Sequence, residues 1–165
     1  MATFLSFLGV VTKIEDFWTG NVEPSGCYKL MSVQNGDGII VDFVVTPNTY
    51  FVDHEMVAAR DLVIGFYDAN APAPLIYPPR FQAVVMAKVK RGQNVKVDYF
   101  DSQLLSSDSM LKLNISPATQ MLLENDQAFT KNPANRNLIV VYGATTMSIP
   151  AQTTPYKIIV MCGQM

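Results

Sequence analysis

The sequence predicts an all-β protein built from two related copies of one strand-rich unit, and three observations carry that expectation. Short runs rich in Val, Ile, Phe and Tyr alternate with clusters of Gly, Pro, Asn and Asp along the 165 residues. One pair of runs is joined by an Asn-Gly turn, the strongest short-range hairpin signal. The order of signals between Thr46 and Met86 then returns between Ser116 and Met161.

The first run, Phe4 to Ile14, has Gly9 at its middle, where a missing Cβ permits a bulge or a close backbone approach. Trp18 to Gly26 is dense in turn formers and reads as a loop. Cys27 to Val33 and Ile39 to Val45 flank Gln34-Asn35-Gly36-Asp37-Gly38 as a hairpin. Strand alternation places Ile39, Val41, Phe43 and Val45 on one face, expected to be the core face.

Thr46-Pro47 combines an N-cap residue with Pro at a first helical position, so a short helical or irregular segment is expected from Phe51 to Ala59. Asp61 to Asp68 is a strand. Pro72, Pro74, Pro78 and Pro79 exclude regular structure from the connection Ala69 to Pro79. Phe81 to Lys90 is a further strand.

In the second half Ser116-Pro117-Ala118-Thr119 lines up with Thr46-Pro47-Asn48-Thr49. Leu138 to Tyr142 lines up with Leu62 to Phe66, and Tyr156 to Met161 with Phe81 to Met86. The offsets drift by a few positions, as insertions in loops would produce. Val95 to Phe100 and Met110 to Ile115 supply two more strands, while no counterpart of the Phe4 to Ile14 strand is recognisable, so the run from Phe81 through Val97 is a candidate to serve both copies. Tyr142-Gly143-Ala144, set against Phe66-Tyr67-Asp68, suggests a second copy that has lost polar groups.

Three strands, a short helix and two strands is the order of the oligonucleotide/oligosaccharide-binding (OB) barrel, whose helix lies between strands three and four. The expectation is therefore two tandem, related OB-fold-like β-barrel units, residues 1–90 and 91–165, with one larger closed barrel as the competing arrangement. An incomplete second copy would leave an open edge that another subunit could cover.

The segment Thr49-Tyr50-Phe51-Val52-Asp53, together with Gly65 to Phe81, resembles a family of small uncharacterised bacterial proteins with an OB-like unit. The resemblance covers the first half only and implies no activity.

Composition narrows the function classes. An apolar content of 49% supplies a core, and a net charge of −2 provides no global positive field for a phosphate backbone. The apolar N-terminus lacks the basic start of a signal peptide, and no run approaches the roughly 20 apolar residues of a membrane helix. Cys27 and Cys162 lack metal-ligand spacing and read as ordinary strand residues in a reducing, cytoplasmic setting. No metal, cofactor or membrane partner is expected.

Catalytic signatures are sparse. Asp53-His54-Glu55 puts the single His between two carboxylates, but adjacent side chains do not face one another in a helix, and no nucleophile pairs with it. Asp42, Asp61, Asp68, Asp98 and Asp101 sit near strand ends, where Asp usually serves turns. Phosphate-loop and hydrolase-elbow motifs are absent. Lys88, Lys90, Arg91 and Lys96, near Tyr99 and Phe100, are the only mixture suited to single-stranded nucleic acid, and Asp98 and Asp101 dilute it.

The barrel expectation singles out the loops between strands one and two and between strands four and five, which flank the ligand face of such units. They carry Phe17, Trp18, Tyr77 and Arg80, with Tyr28 and Lys29 on strand two. Aromatic rings beside cations suit a protein interface, a plug of the barrel end, or a small anionic or planar ligand. The reading favoured by residue type is a non-catalytic binding or self-assembling module acting through protein contacts, in a homo-oligomer or with a protein partner. Small-ligand or single-stranded nucleic-acid binding on the barrel face, or enzymatic activity, are the competing readings.

Overall fold

A computed structural model describes residues 2–18 and 26–163. The turn-rich stretch expected between Trp18 and Gly26 falls, from Thr19 to Ser25, outside the described residues. The chain forms β-strands arranged in several sheets and divides into two compact units, the first Phe4–Val89 and the second residues 90–163 with residues 2–3.

The first unit contains β1 (Phe4–Asp16), β2 (Lys29–Gln34), β3 (Ile40–Val45), β4 (Tyr50–Phe51), β5 (Leu62–Asp68), β6 (Arg80–Gln82) and β7 (Val85–Lys88). The long β1 pairs antiparallel with β5 through its first half and with β2 through its second. Its register shifts between Val11 and Lys13. Gly9 makes that double use possible, because a Cβ there would stand 2.5 Å from the Gln34 carbonyl oxygen.

The β2–β3 hairpin forms around Asn35, whose side-chain oxygen accepts the Asp37 and Ile39 N–H groups. β6 runs parallel to β3, β7 runs parallel to β4, and β7 is antiparallel to β5. The seven strands form one sheet in the order β4-β7-β5-β1-β2-β3-β6, with β4 and β6 at its ends, so the OB barrels expected from the sequence are not what forms. Inside lie Val11, Met31, Val33, Val41, Phe43, Val45, Val63, Ala83 and Met86. Val41, Phe43 and Val45 thus face the core as alternation predicts, whereas Ile39 is exposed in the turn.

The expected helices do not form. Among the described residues the helical content is one 3-10 turn, Val52–His54, with Asp53 and His54 both at positive φ. The reason lies in Thr49. Its hydroxyl donates to the Ala83 carbonyl at 2.7 Å and accepts the Thr46 N–H at 3.0 Å, while Thr46 Oγ1 accepts the Asn48 N–H at 3.1 Å. The capping chemistry of Ser and Thr is satisfied in a turn, and the Tyr50 N–H goes across to Val84 rather than back along a helix.

The second unit contains β8 (Asn94–Phe100), β9 (Leu111–Leu113), β10 (Gln120–Leu123), β11 (Arg136–Tyr142), β12 (Ala151–Thr153) and β13 (Lys157–Val160). β8 pairs antiparallel with β11 as β1 does with β5, so the run from Phe81 through Val97 is not shared: β7 belongs to the first unit and β8 takes the place of β1 in the second. Bridges Phe100↔Ser106 and Leu105↔Lys112 reduce the β2 position to two residues. That reduction is what hides the correspondence in the sequence.

The remaining pairings recur one for one. β12 runs parallel to β9, β13 runs parallel to β10, and β13 is antiparallel to β11. The turn recurs with them: Thr119 Oγ1 donates to the Pro155 carbonyl at 2.8 Å and accepts the Ser116 N–H, and Ser116 Oγ accepts the Ala118 N–H. Gln120 N–H reaches Tyr156 as Tyr50 N–H reaches Val84. Phe100, Leu111, Leu113, Leu138, Val140, Ile158 and Val160 form this unit's core.

Candidate interaction surface

In the first unit, the end of β1 and the start of β6 bring four of the six candidate residues close together in the chain's pairing. Phe17 continues the β1–β2 ladder by donating its N–H to the Tyr28 carbonyl at 2.9 Å, one step beyond the Asp16↔Lys29 pair. Its half-buried ring lies under the Arg80 guanidinium, with Cζ 5.1 Å from the centroid. Such a contact contributes about 0.5–1 kcal/mol. Here it also ties the loop after β1 to the loop before β6.

Arg80 is held from its other side by strand pairing, since it stands opposite Asp42 in the parallel β3–β6 register. Its Nε is buried and has no hydrogen-bond partner among the described residues. Phe81 stacks on Tyr67 at 4.0 Å with ring planes 9° apart, and burial pushes the Tyr67 phenol up. Those two rings floor the region, and Phe43 lies beneath Tyr67 at 6.3 Å.

Trp18 and Tyr77 are 80% and 81% exposed. They do not plug a barrel end. Tyr77 lies on an open groove of about 530 Å³ lined by Pro74, Leu75, Arg80 and Phe81 among others. Leu75 projects completely into solvent and Ile76 is half exposed. Tyr28 is half-buried, and the Lys29 ammonium is engaged by the Asp16 carboxylate, so Lys29 is not a free cation beside the rings.

Sequence reasoning missed Tyr67, Leu75, Ile76 and Phe81 as members of this surface. The signal available for Leu75 and Ile76 was their position between Pro74 and Pro78, where no regular element can bury them. Tyr67 and Phe81 read only as strand residues.

The other candidate chemistry disperses. His54 is exposed in its turn, with its ring edge-on to Tyr50 at 5.3 Å. Asp61, Asp68 and Asp101 accept backbone N–H groups of their own turns, as strand-end Asp should. Asp42 instead is buried and accepts the Ser32 hydroxyl at 2.6 Å, and Asp98 accepts the Ser107 hydroxyl and the Tyr99 N–H. Lys88 pairs with Asp61 and Lys96 with Asp108, which removes two cations from the basic mixture.

Cys27 and Cys162 are both exposed and lie outside the strands, contrary to the expectation of ordinary strand residues. Among the described residues no three His, Cys, Asp or Glu side chains converge as metal ligands, and no helix is long and apolar enough to cross a membrane. No family model, curated protein or solved structure matches the chain.

Proposed function

We propose that this protein is a non-catalytic, self-assembling module of two related all-β units, whose first unit docks onto a second copy of the chain through the Phe17–Trp18 and Ala73–Arg80 segments. The observation that carries the reading is the exposure of Trp18, Leu75 and Tyr77 on loops that the Phe17–Arg80 contact holds in place. Trp, Tyr and Arg are the residues that dominate interface energetics when they are buried on association. Leaving them in water forfeits roughly 1.5–3 kcal/mol of transfer free energy for each large side chain.

Two further features support it. A buried donor without an acceptor costs about 1–3 kcal/mol, and the Arg80 Nε is such a donor; a carbonyl or carboxylate brought by a partner and admitted to the groove relieves that cost. The prolines of the 72–79 loop limit its freedom before docking, which reduces the ordering entropy lost on association.

The test is the Trp18→Ala, Tyr77→Ala double variant, compared with wild type by sedimentation velocity over a concentration series. The proposal expects an oligomer that dissociates in the variant while circular dichroism and the unfolding midpoint stay near wild type, because both side chains are exposed in the single chain. A folded variant with an unchanged assembly state rejects the surface.

A further inference from the structure

The second unit carries a different groove from the one on the first. It has a volume of about 480 Å³, and no charged side chain lines it. Its walls come from the end of β9, the chain after β11, and β12 with the residues that follow it. Across it the Asn114 amide donates to Gln152 Oε1 at 3.2 Å, which leaves the Asn114 carbonyl oxygen and the Gln152 amide hydrogens for a ligand. Thr145 and Thr154 add hydroxyls, while Thr146 Oγ1 is fixed between the Gln152 N–H, which it accepts at 2.9 Å, and the Ser148 hydroxyl at 2.7 Å.

Tyr156 completes the lining with an oriented ring. Its hydroxyl donates to the Gly92 carbonyl at 3.4 Å, and its ring lies so close to Gly143 that any Cβ at 143 would collide with it. The residue is nevertheless 55% exposed. A fixed aromatic surface beside paired amides and hydroxyls, with no net charge, matches a neutral polyhydroxylated ligand: ring faces cover the C–H surface of a sugar, and amides and hydroxyls meet groups that both donate and accept.

The matched positions of the first unit lack this chemistry. Hydrogen-bond equivalence puts Val84 where Tyr156 stands, and the same offset puts Arg80, Phe81 and Gln82 where Gln152, Thr153 and Thr154 stand. The second copy has not simply lost polar groups; it has exchanged an apolar, cationic rim for a neutral hydrogen-bonding one. A peptide adding as a strand is the poorer fit, because Thr146 N–H donates to the Gln152 carbonyl and Gln152 N–H donates to Thr146 Oγ1, so the β12 edge is already occupied there.

We infer that the second-unit groove around Asn114, Gln152 and Tyr156 is a binding site for neutral saccharide. The experiment is a nuclear magnetic resonance titration of the full chain with maltohexaose, cellohexaose and chitohexaose, with tetra-alanine as the peptide control. Expected are shifts of the Asn114 and Gln152 side-chain amides with at least one of the three sugars, at affinities on the order of millimolar. Tyr156→Ala then weakens binding about tenfold, and Tyr156→Phe retains most of it. Tyr156→Phe also guards against misfolding, since it keeps the ring that Gly143 accommodates. Absence of groove shifts with all three sugars overturns the inference, as do shifts with tetra-alanine alone or sugar binding unchanged in a folded Tyr156→Ala chain.

Discussion

The Asp61 carboxylate accepts the Ala58 N–H at 2.8 Å and stands 3.5 Å from Lys88 Nζ. The backbone hydrogen bond, with help from the lysine, holds its pKa below the ordinary aspartate value. Because the folded value lies below the unfolded one, the stability this group contributes is present above the unfolded pKa and is lost as pH falls through the folded pKa. Asp61→Asn should therefore lower the urea midpoint at neutral pH, with the gap to wild type closing in strong acid; a gap independent of pH would assign the effect to geometry alone. At Gly65 the limit is steric. A Cβ there would stand 2.7 Å from the Phe43 ring, so Gly65→Ala should destabilise by about 1–3 kcal/mol in denaturant titrations, and Phe43→Leu in the same chain should return part of that loss.

At the scale of elements, the turn before β4 and the turn before β10 are the most informative pieces. Each has a Thr hydroxyl that bridges its own turn to a carbonyl some thirty-five residues away, between β6 and β7 in the first unit and between β12 and β13 in the second. Thr49→Val and Thr119→Val should each cost about 1–3 kcal/mol, because the isosteric methyl leaves an N–H and a carbonyl unpaired, and Thr→Ser at either site should recover most of it. Unequal losses, with one site silent, would contradict the equivalence of the two turns.

These same elements show what could be read in the sequence. Ser/Thr-Pro-x-Thr was visible in both halves, and so were the strands around it, because alternation and turn residues are local signals. The helix expected after it was not formed, since Thr and Pro suit an N-cap and a turn equally and the choice was made by the distant Ala83 and Pro155 carbonyls. The equivalence of β8 to β1 was hidden for a related reason: the hairpin partner of β8 shrank to Leu105 and Ser106, leaving no strand pattern to align. Of the proposed surface, Phe17, Trp18, Tyr77 and Arg80 were legible as residue types on loops. The engagement of Lys29 by Asp16 was not, because it depends on cross-strand register rather than sequence proximity.

At the scale of the molecule, each unit builds its own core and repeats one order of pairings, while the surfaces at matched positions have diverged. The first unit offers exposed aromatic and aliphatic side chains around an arginine; the second offers amides, hydroxyls and one anchored tyrosine. The proposed assembly surface thus lies on the first unit and the proposed ligand groove on the second, on a chain whose small net charge opposes neither. The most direct test of the assembly claim is native mass spectrometry of the wild-type chain beside the Trp18→Ala, Tyr77→Ala variant at the same concentration. The account predicts a defined multiple of the chain mass for wild type and a single chain for the folded variant. A monomeric wild type, or an oligomer that the double substitution leaves intact, would contradict it.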